Sequence, residues 1–228
     1  MKPYSQVYLV AGVITLKPIN ALFWALENLR DKENKEKPKI IIPIGRHSYG
    51  PQPEIITIDN YTLPLTRGSK IGNFCSIAYG VRFTFLGKHN YNLVTTYPFY
   101  AFHGKWKCDL PPLYIKGAYD SSTLKPNPII VENDVWIASN VTVKEGVTIH
   151  NGAIVAMESL VTKDVPPYAM VGGCPAKIIK YRFNRTQIEE LLKIAWWNWD
   201  DDKIKEWLPF LISEDVDAFI RAAKTDKT

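Results

Sequence analysis

IIVENDVWIASNVTVKEGVTIHNGAIVAMESLVTKDVPPYAMV, residues Ile129–Val171, repeats every six residues. Ile137, Val143, Ile149, Val155 and Val161 fall on one register. Val135, Val141, Val147, Ala153, Ser159 and Val165 form a second row, two residues earlier in each hexad. A helix returns its apolar face every 3.6 residues and a single strand alternates with period two, so neither accounts for a period of six. Short strands joined by tight corners do. Each hexad points one large aliphatic and one small residue inward, and stacking the turns buries each on the next, as in a parallel β-helix.

Outward from this stretch, Ile71–Ser76 and Ile77–Arg82 are two further hexads, with Cys75 and Val81 in the small slot, and Ile44–Ser48 begins a degenerate one. Between Thr84 and Pro128 the period stops. That segment is rich in aromatics, Gly and Pro, and a long insertion bounded by repeat on both sides reads as a functional excursion. The expected organisation is an apolar arm and charged linker over 1–39, the coil over 40–181 with its excursion over 84–128, and a helical tail over 182–228. In the tail, Asn184 or Thr186 can cap a helix through Ile188, Leu191 and Ile194. The Trp-rich run after it reads as packing that pins the helices to the coil.

The chain has 228 residues, 46% hydrophobic and 12% aromatic, which suits a packed globular protein. Its net charge of +5 is spread out, without a dense basic run or a nucleic-acid motif, so a nucleic-acid partner is not expected. The apolar run Val7–Leu16 is too short to span a bilayer, and stable membrane insertion is not expected. Cys75, Cys108 and Cys174 make an odd number without CxxC, which suits free thiols and a cytoplasmic location. No His, Cys or acidic residues stand at metal-ligand spacing, so no metal is expected.

Of the four histidines, His89 draws attention. It follows Gly87-Lys88 where the chain leaves the rigid wall, a good place for a functional group, although spacing alone leaves a structural role open. His47, in the weak first hexad, either is structural or lines an acceptor pocket.

IGNFCSIA (71–78), GKHNYNLVTTYPF (87–99), DVWIASN (134–140), VTKDVPPYAMVGGCPAK (161–177) and the AWWNW and PFL of the tail resemble the hexapeptide-repeat acyltransferases. Within them the match is to the xenobiotic acetyltransferase branch, which holds the type B chloramphenicol and streptogramin acetyltransferases. The resemblance implies an all-β core formed by a left-handed parallel β-helix with a long inserted loop and C-terminal α-helices. It also implies a homotrimer with active sites at subunit interfaces, and acetyl-CoA as cosubstrate. His89 occupies the place of the family's general base, and an ordinary imidazole titrates at about pH 6.5, suited to that role.

The cofactor positions carried over are Ala138, Ser139, Ala156, Met157, Thr162, Lys163, Lys177, Lys180 and Arg182. The last three form the basic cluster suited to a 3′-phosphate. Ala138 replaces the usual Gly of the WIG-type hexad. The acceptor positions are Tyr49, Tyr91, Tyr97, Phe99 and Trp136. Because Gly45–Gly50 is followed at once by Pro51-Gln52-Pro53, part of the drug members' pocket wall is missing. The expected acceptor is therefore a saccharide hydroxyl. The alternatives are an antibiotic hydroxyl, an amino sugar (N-acetylation), and a scaffold without catalysis.

Overall fold

The computed structural model describes residues 9–10, 13–14, 41–57, 66–85, 94–97 and 127–226. The chain divides into two compact units, Met1–Ile40 and Ile41–Thr228. In the first, β1 (Leu9–Val10) pairs antiparallel with β2 (Val13–Ile14).

In the second unit, the chain visits three parallel sheets in rotation. Strands β4 (Lys70–Ile71), β7 (Ile130–Val131) and β10 (Thr148–Ile149) form one. Strands β5 (Ser76–Ile77), β8 (Trp136–Ile137), β11 (Ile154–Val155) and β13 (Ala169–Gly172) belong to the second. The third holds β3 (Glu54–Thr57), β6 (Arg82–Phe85), β9 (Thr142–Lys144) and β12 (Leu160–Val161). Ile130 pairs with Thr148, Trp136 with Ile154 and Thr142 with Leu160, so one turn takes three hexads. Lys70 instead pairs with Ile130, so the expected excursion falls between two turns that are neighbours in the sheet. Thr84 and Phe85, placed in that excursion by the sequence, belong to β6.

Both rows of the hexad point into the lumen. Ile137, Val143, Ile149 and Val155, with Val135, Val141 and Ala153, are entirely buried, and Ser159 is buried with its hydroxyl donating to the Ala156 carbonyl at 2.6 Å. Each turn therefore offers its neighbours apolar area worth about 1.5–3 kcal/mol per large side chain.

The corners need left-handed backbone. His47, Phe74, Asp134, Gly152 and Tyr168 all have φ between 55° and 69° and stack at the corner between the first and second sheets. For residues other than glycine this costs about 1–2 kcal/mol each. A ladder of asparagines offsets it. Asn73 Oδ1 accepts from the Arg46 amide at 3.0 Å, Asn133 Oδ1 from the Asn73 amide at 2.9 Å, and Asn151 Oδ1 from the Asn133 amide at 3.0 Å.

After β13 the chain reverses through Gly172–Ala176 into β14 (Lys177–Tyr181), which lies antiparallel on β13 at the edge of the second sheet. Three helices follow: α1 (Arg185–Ile194), α2 (Asp201–Leu211) and α3 (Val216–Thr225). Asn184, not Thr186, caps α1, with Gln187 closing a capping box. Trp197, Trp207, Phe219 and Leu191 are buried together with Tyr168, and Trp196 and Trp199 pack against them. The tryptophans thus hold the helices on the asparagine corner. Among the described residues no helix is long and apolar enough to cross a membrane.

Candidate active site

The five-stranded sheet places several of the expected site residues in one file. Backbone register pairs Tyr49 with Ser76, Ser76 with Trp136, Trp136 with Ile154, Ile154 with Met170 and Met170 with Lys180. The inward neighbours Ile77, Ile137, Val155 and Val171 are buried, so by strand alternation this file faces outward. Tyr49 and Trp136 stand out from it, 70% and 51% exposed. At about 4.8 Å per strand, Trp136 lies about 10 Å from Tyr49, and Lys180 about 14 Å from Trp136 on the other side.

The corner that follows this sheet gathers the next group. Ala138 donates its amide to the Val155 carbonyl at 3.0 Å and Ala156 to the Val171 carbonyl at 2.9 Å, so the two alanines occupy one corner row. Ser139 and Met157 follow them, and Met157 is exposed. Gly172 continues the row. A Cβ there would stand 3.1 Å from the Ala156 Cβ and 3.0 Å from Ile179 Cδ1, a close approach that keeps this edge shallow. Lys177 pairs with Gly172 and therefore flanks the same edge. Small, half-buried side chains at the corner and two exposed lysines on β14 suit a long ligand ending in phosphates.

Other expected positions lie elsewhere in the chain. Thr162 and Lys163 follow β12, at the corner between the third and first sheets, so sheet three separates them from Ala138 and Ala156. Arg182 turns away from the lysines. Its Nη1 donates to Asp134 Oδ2 at 3.1 Å and to the Gly152 carbonyl at 2.7 Å, and its guanidinium lies over the rings of Tyr168 and Phe183. Tyr97 is partly exposed, its amide donating to Thr95 Oγ1 at 3.1 Å. His89, Tyr91 and Phe99 lie outside the described residues, as do His103 and Cys108.

His47 belongs to the frame. Its Nε2 lies 2.9 Å from Asp201 Oδ1, and its ring stacks on Phe74 with centroids 4.9 Å apart. Arg46 pairs with the same carboxylate and donates to the Trp197 and Trp199 carbonyls. The hydrogen bond from His47, with the charges of His47 and Arg46, holds Asp201 below the usual carboxylate range. His150 Nδ1 lies 3.2 Å from Glu132 Oε2 on the outer surface. Cys75 is a buried filler whose thiol is pushed up by desolvation. Burial also raises Asp134, against the opposing pull of Arg182. Sequence reading missed Asp134, Asp201 and the asparagine ladder. A signal for the ladder was present, since Asn73, Asn133 and Asn151 occupy the same slot of their hexads.

No family model matches the chain. Individual relatives do. A probable macrolide acetyltransferase of Lysinibacillus sphaericus is 44% identical over 145 residues, 63% of this chain and 77% of the relative. A chloramphenicol acetyltransferase of Klebsiella aerogenes is 42% identical over 148 residues, 64% of this chain and 67% of the relative. A virginiamycin A acetyltransferase of Staphylococcus aureus is 43% identical over 157 residues, 68% of this chain and 67% of the relative. The shared class is acetyltransferase, and the chain is an enzyme of that class. It belongs to the xenobiotic acetyltransferase family of hexapeptide-repeat enzymes.

Proposed function

We propose that this enzyme transfers the acetyl group of acetyl-CoA directly to a hydroxyl of a small acceptor, with His89 as general base. One observation carries the reading: the outward file that runs from Lys180 through Met170 and Ile154 to Trp136 and Tyr49. It offers cationic anchorage at one end and aromatic surface at the other. Acetyl-CoA supplies an activated thioester. The corner at Ala138, Ser139, Ala156 and Met157 takes its pantetheine arm, and Lys177 and Lys180 take phosphate charge. His89 accepts the hydroxyl proton as the oxygen attacks, and returns it to the departing thiolate.

We infer a homotrimer and a left-handed coil. Exposed Tyr49, Tyr79, Trp136 and Met157 favour an interface on this side of the coil. Thr162 and Lys163 can join Ala138 and Ala156 at one site only if a second subunit brings its own corner to the groove. Tyr91, Tyr97, Phe99, Trp136 and Tyr49 are the proposed acceptor contacts. The odd cysteine count is consistent with a cytoplasmic enzyme.

The names of the relatives favour an antibiotic hydroxyl over the saccharide expected from sequence. The saccharide remains a second reading because Pro51-Gln52-Pro53 replaces pocket wall, and Gln52 folds back to exchange hydrogen bonds with Ile42 at 3.3 Å. Thiol release from acetyl-CoA, measured across chloramphenicol, a streptogramin, a macrolide, hexoses, amino sugars and a polysaccharide fragment, separates the two. Turnover confined to drugs selects the antibiotic reading, and turnover confined to sugars selects the saccharide. His89→Ala should abolish turnover and keep acetyl-CoA binding. Near wild-type turnover in that variant removes the general-base assignment.

A further inference from the structure

Strand β14 carries Lys177 and Lys180, yet it is an edge strand with every residue exposed. Its pairing to β13 is interrupted by a register shift between Met170 and Val171. An edge strand with a broken ladder and no buried side chain holds its lysines loosely unless something fixes its ends. The first end is fixed by Ala176, whose amide donates to the Leu160 carbonyl at 2.8 Å. The second end is fixed by Arg182. Its amide donates to the Tyr168 carbonyl at 2.9 Å, and its guanidinium reaches Asp134 and the Gly152 carbonyl on the two preceding turns of the asparagine corner.

We propose that Arg182 is a positioning residue for cofactor binding: through Asp134 and Gly152 it fixes the far end of β14, and so sets where Lys177 and Lys180 meet the phosphates of coenzyme A. This rests on the cofactor reading given above, and departs from the sequence expectation on Arg182, which then makes no phosphate contact of its own. The geometry favours the indirect role. The guanidinium is spread between the Tyr168 and Phe183 rings, 5.3 Å and 5.2 Å from their centroids, and donates to a carboxylate and a carbonyl of the coil. Both bonds leave Nη1, and the planar guanidinium behind it fills the space between the two rings, a stacking that a lysine ammonium cannot reproduce. Asp134 is partly buried, as is Arg182, so the pair is shielded from competing water and salt.

The test uses Asp134→Asn, Arg182→Lys and the double variant in the full-length protein, with thermal melting to confirm folding. Hydrogen exchange at the β14 amides needs no cofactor and decides whether the pair holds the strand. Acetyl-CoA and acetyl-dephospho-CoA affinities then decide whether holding the strand matters for binding. Positioning predicts faster β14 exchange in each single variant. Affinity for acetyl-CoA falls about tenfold, the scale of one weakened hydrogen bond to a charged group. The double variant loses no more than either single one, and Asp134→Asn keeps kcat at saturating acetyl-CoA. Unchanged β14 exchange overturns the proposal. So does an Arg182→Lys loss that vanishes with acetyl-dephospho-CoA while Asp134→Asn binds normally, since that pattern marks a direct phosphate contact. Absence of acetyl-CoA binding in the wild type removes the cofactor reading instead, and the exchange result still decides whether Arg182 holds the strand. Arg182→Lys carries the test if Asp134→Asn does not fold.

Discussion

Replacing Gly152 by alanine probes the corner on which the helices rest. Gly152 has φ of +69°, and a Cβ added there stands 2.5 Å from Cδ1 of Tyr168 and 2.9 Å from its Cζ. The ring cannot easily retreat. Tyr168 is buried to 1% exposure, flanked by Phe183 and Arg182, and its own backbone is fixed in the left-handed region by a bond to the Asn151 carbonyl at 2.9 Å. Gly68 is the internal control. Its φ is +89°, but the added Cβ meets only Pro128, at 3.6 Å and 3.7 Å. Both alanines incur about 1–2 kcal/mol for left-handed backbone. Both recover about 0.4–1 kcal/mol from a stiffer unfolded chain. Gly152→Ala adds overpacking of about 1–3 kcal/mol. The expected destabilisation is thus about 1 kcal/mol for Gly68→Ala and about 2–4 kcal/mol for Gly152→Ala. Equilibrium urea unfolding at one fixed protein concentration measures both, which removes any mass-action term from association. Tyr168→Leu should relieve the collision, so that adding Gly152→Ala to it costs only the backbone part. Equal losses for the two glycines, within about 0.5 kcal/mol, would refute the view that the Tyr168 ring is the wall.

Three further outcomes follow from the same structure. Asp201 is held below the usual carboxylate range, so its contribution to stability is present above its unfolded pKa of about 3.9 and is lost as pH falls through the lower folded value. The melting-temperature gap between wild type and Asp201→Asn, followed from pH 6 to pH 2, should therefore close below about pH 4; it should be small throughout, because Asp201 is exposed. Asn184→Ala should cost about 1 kcal/mol in guanidinium unfolding through loss of the α1 cap, while Thr186→Ala stays near neutral. Under the proposed cofactor role, Lys177→Gln and Lys180→Gln should each weaken acetyl-CoA binding severalfold and flatten its salt dependence, measured by calorimetry at two ionic strengths.

The hexads were legible because each is a local code. The residues that fill the lumen are chosen by spacing within six positions, and each turn packs on the turn next to it in the chain, so Ile137 and Val155 meet by simple counting. The capping box at Asn184 and Gln187 is local in the same way. The resemblance placed Ala138, Ala156 and Lys177, and register in the coil then brought them to one edge without further information.

Other features depend on distant pieces of chain. His47 and Arg46 meet Asp201 across more than 150 residues. Their sequence neighbourhoods give no hint of each other, because only docking of the Trp-rich turn on the first coil turn brings them together. Arg182 read as one more basic residue after the coil. Reversal of the chain at Gly172-Gly173 laid β14 antiparallel on β13 and carried Arg182 back to Asp134 and Gly152. The amino-acid sequence alone determined the repeat, the interruption and the family, since these are set by spacing and by residue types at fixed offsets. Only the tertiary structure decided which charges are spent on the frame and which face outward, because that depends on how far through space, not along the chain, a side chain finds its partner.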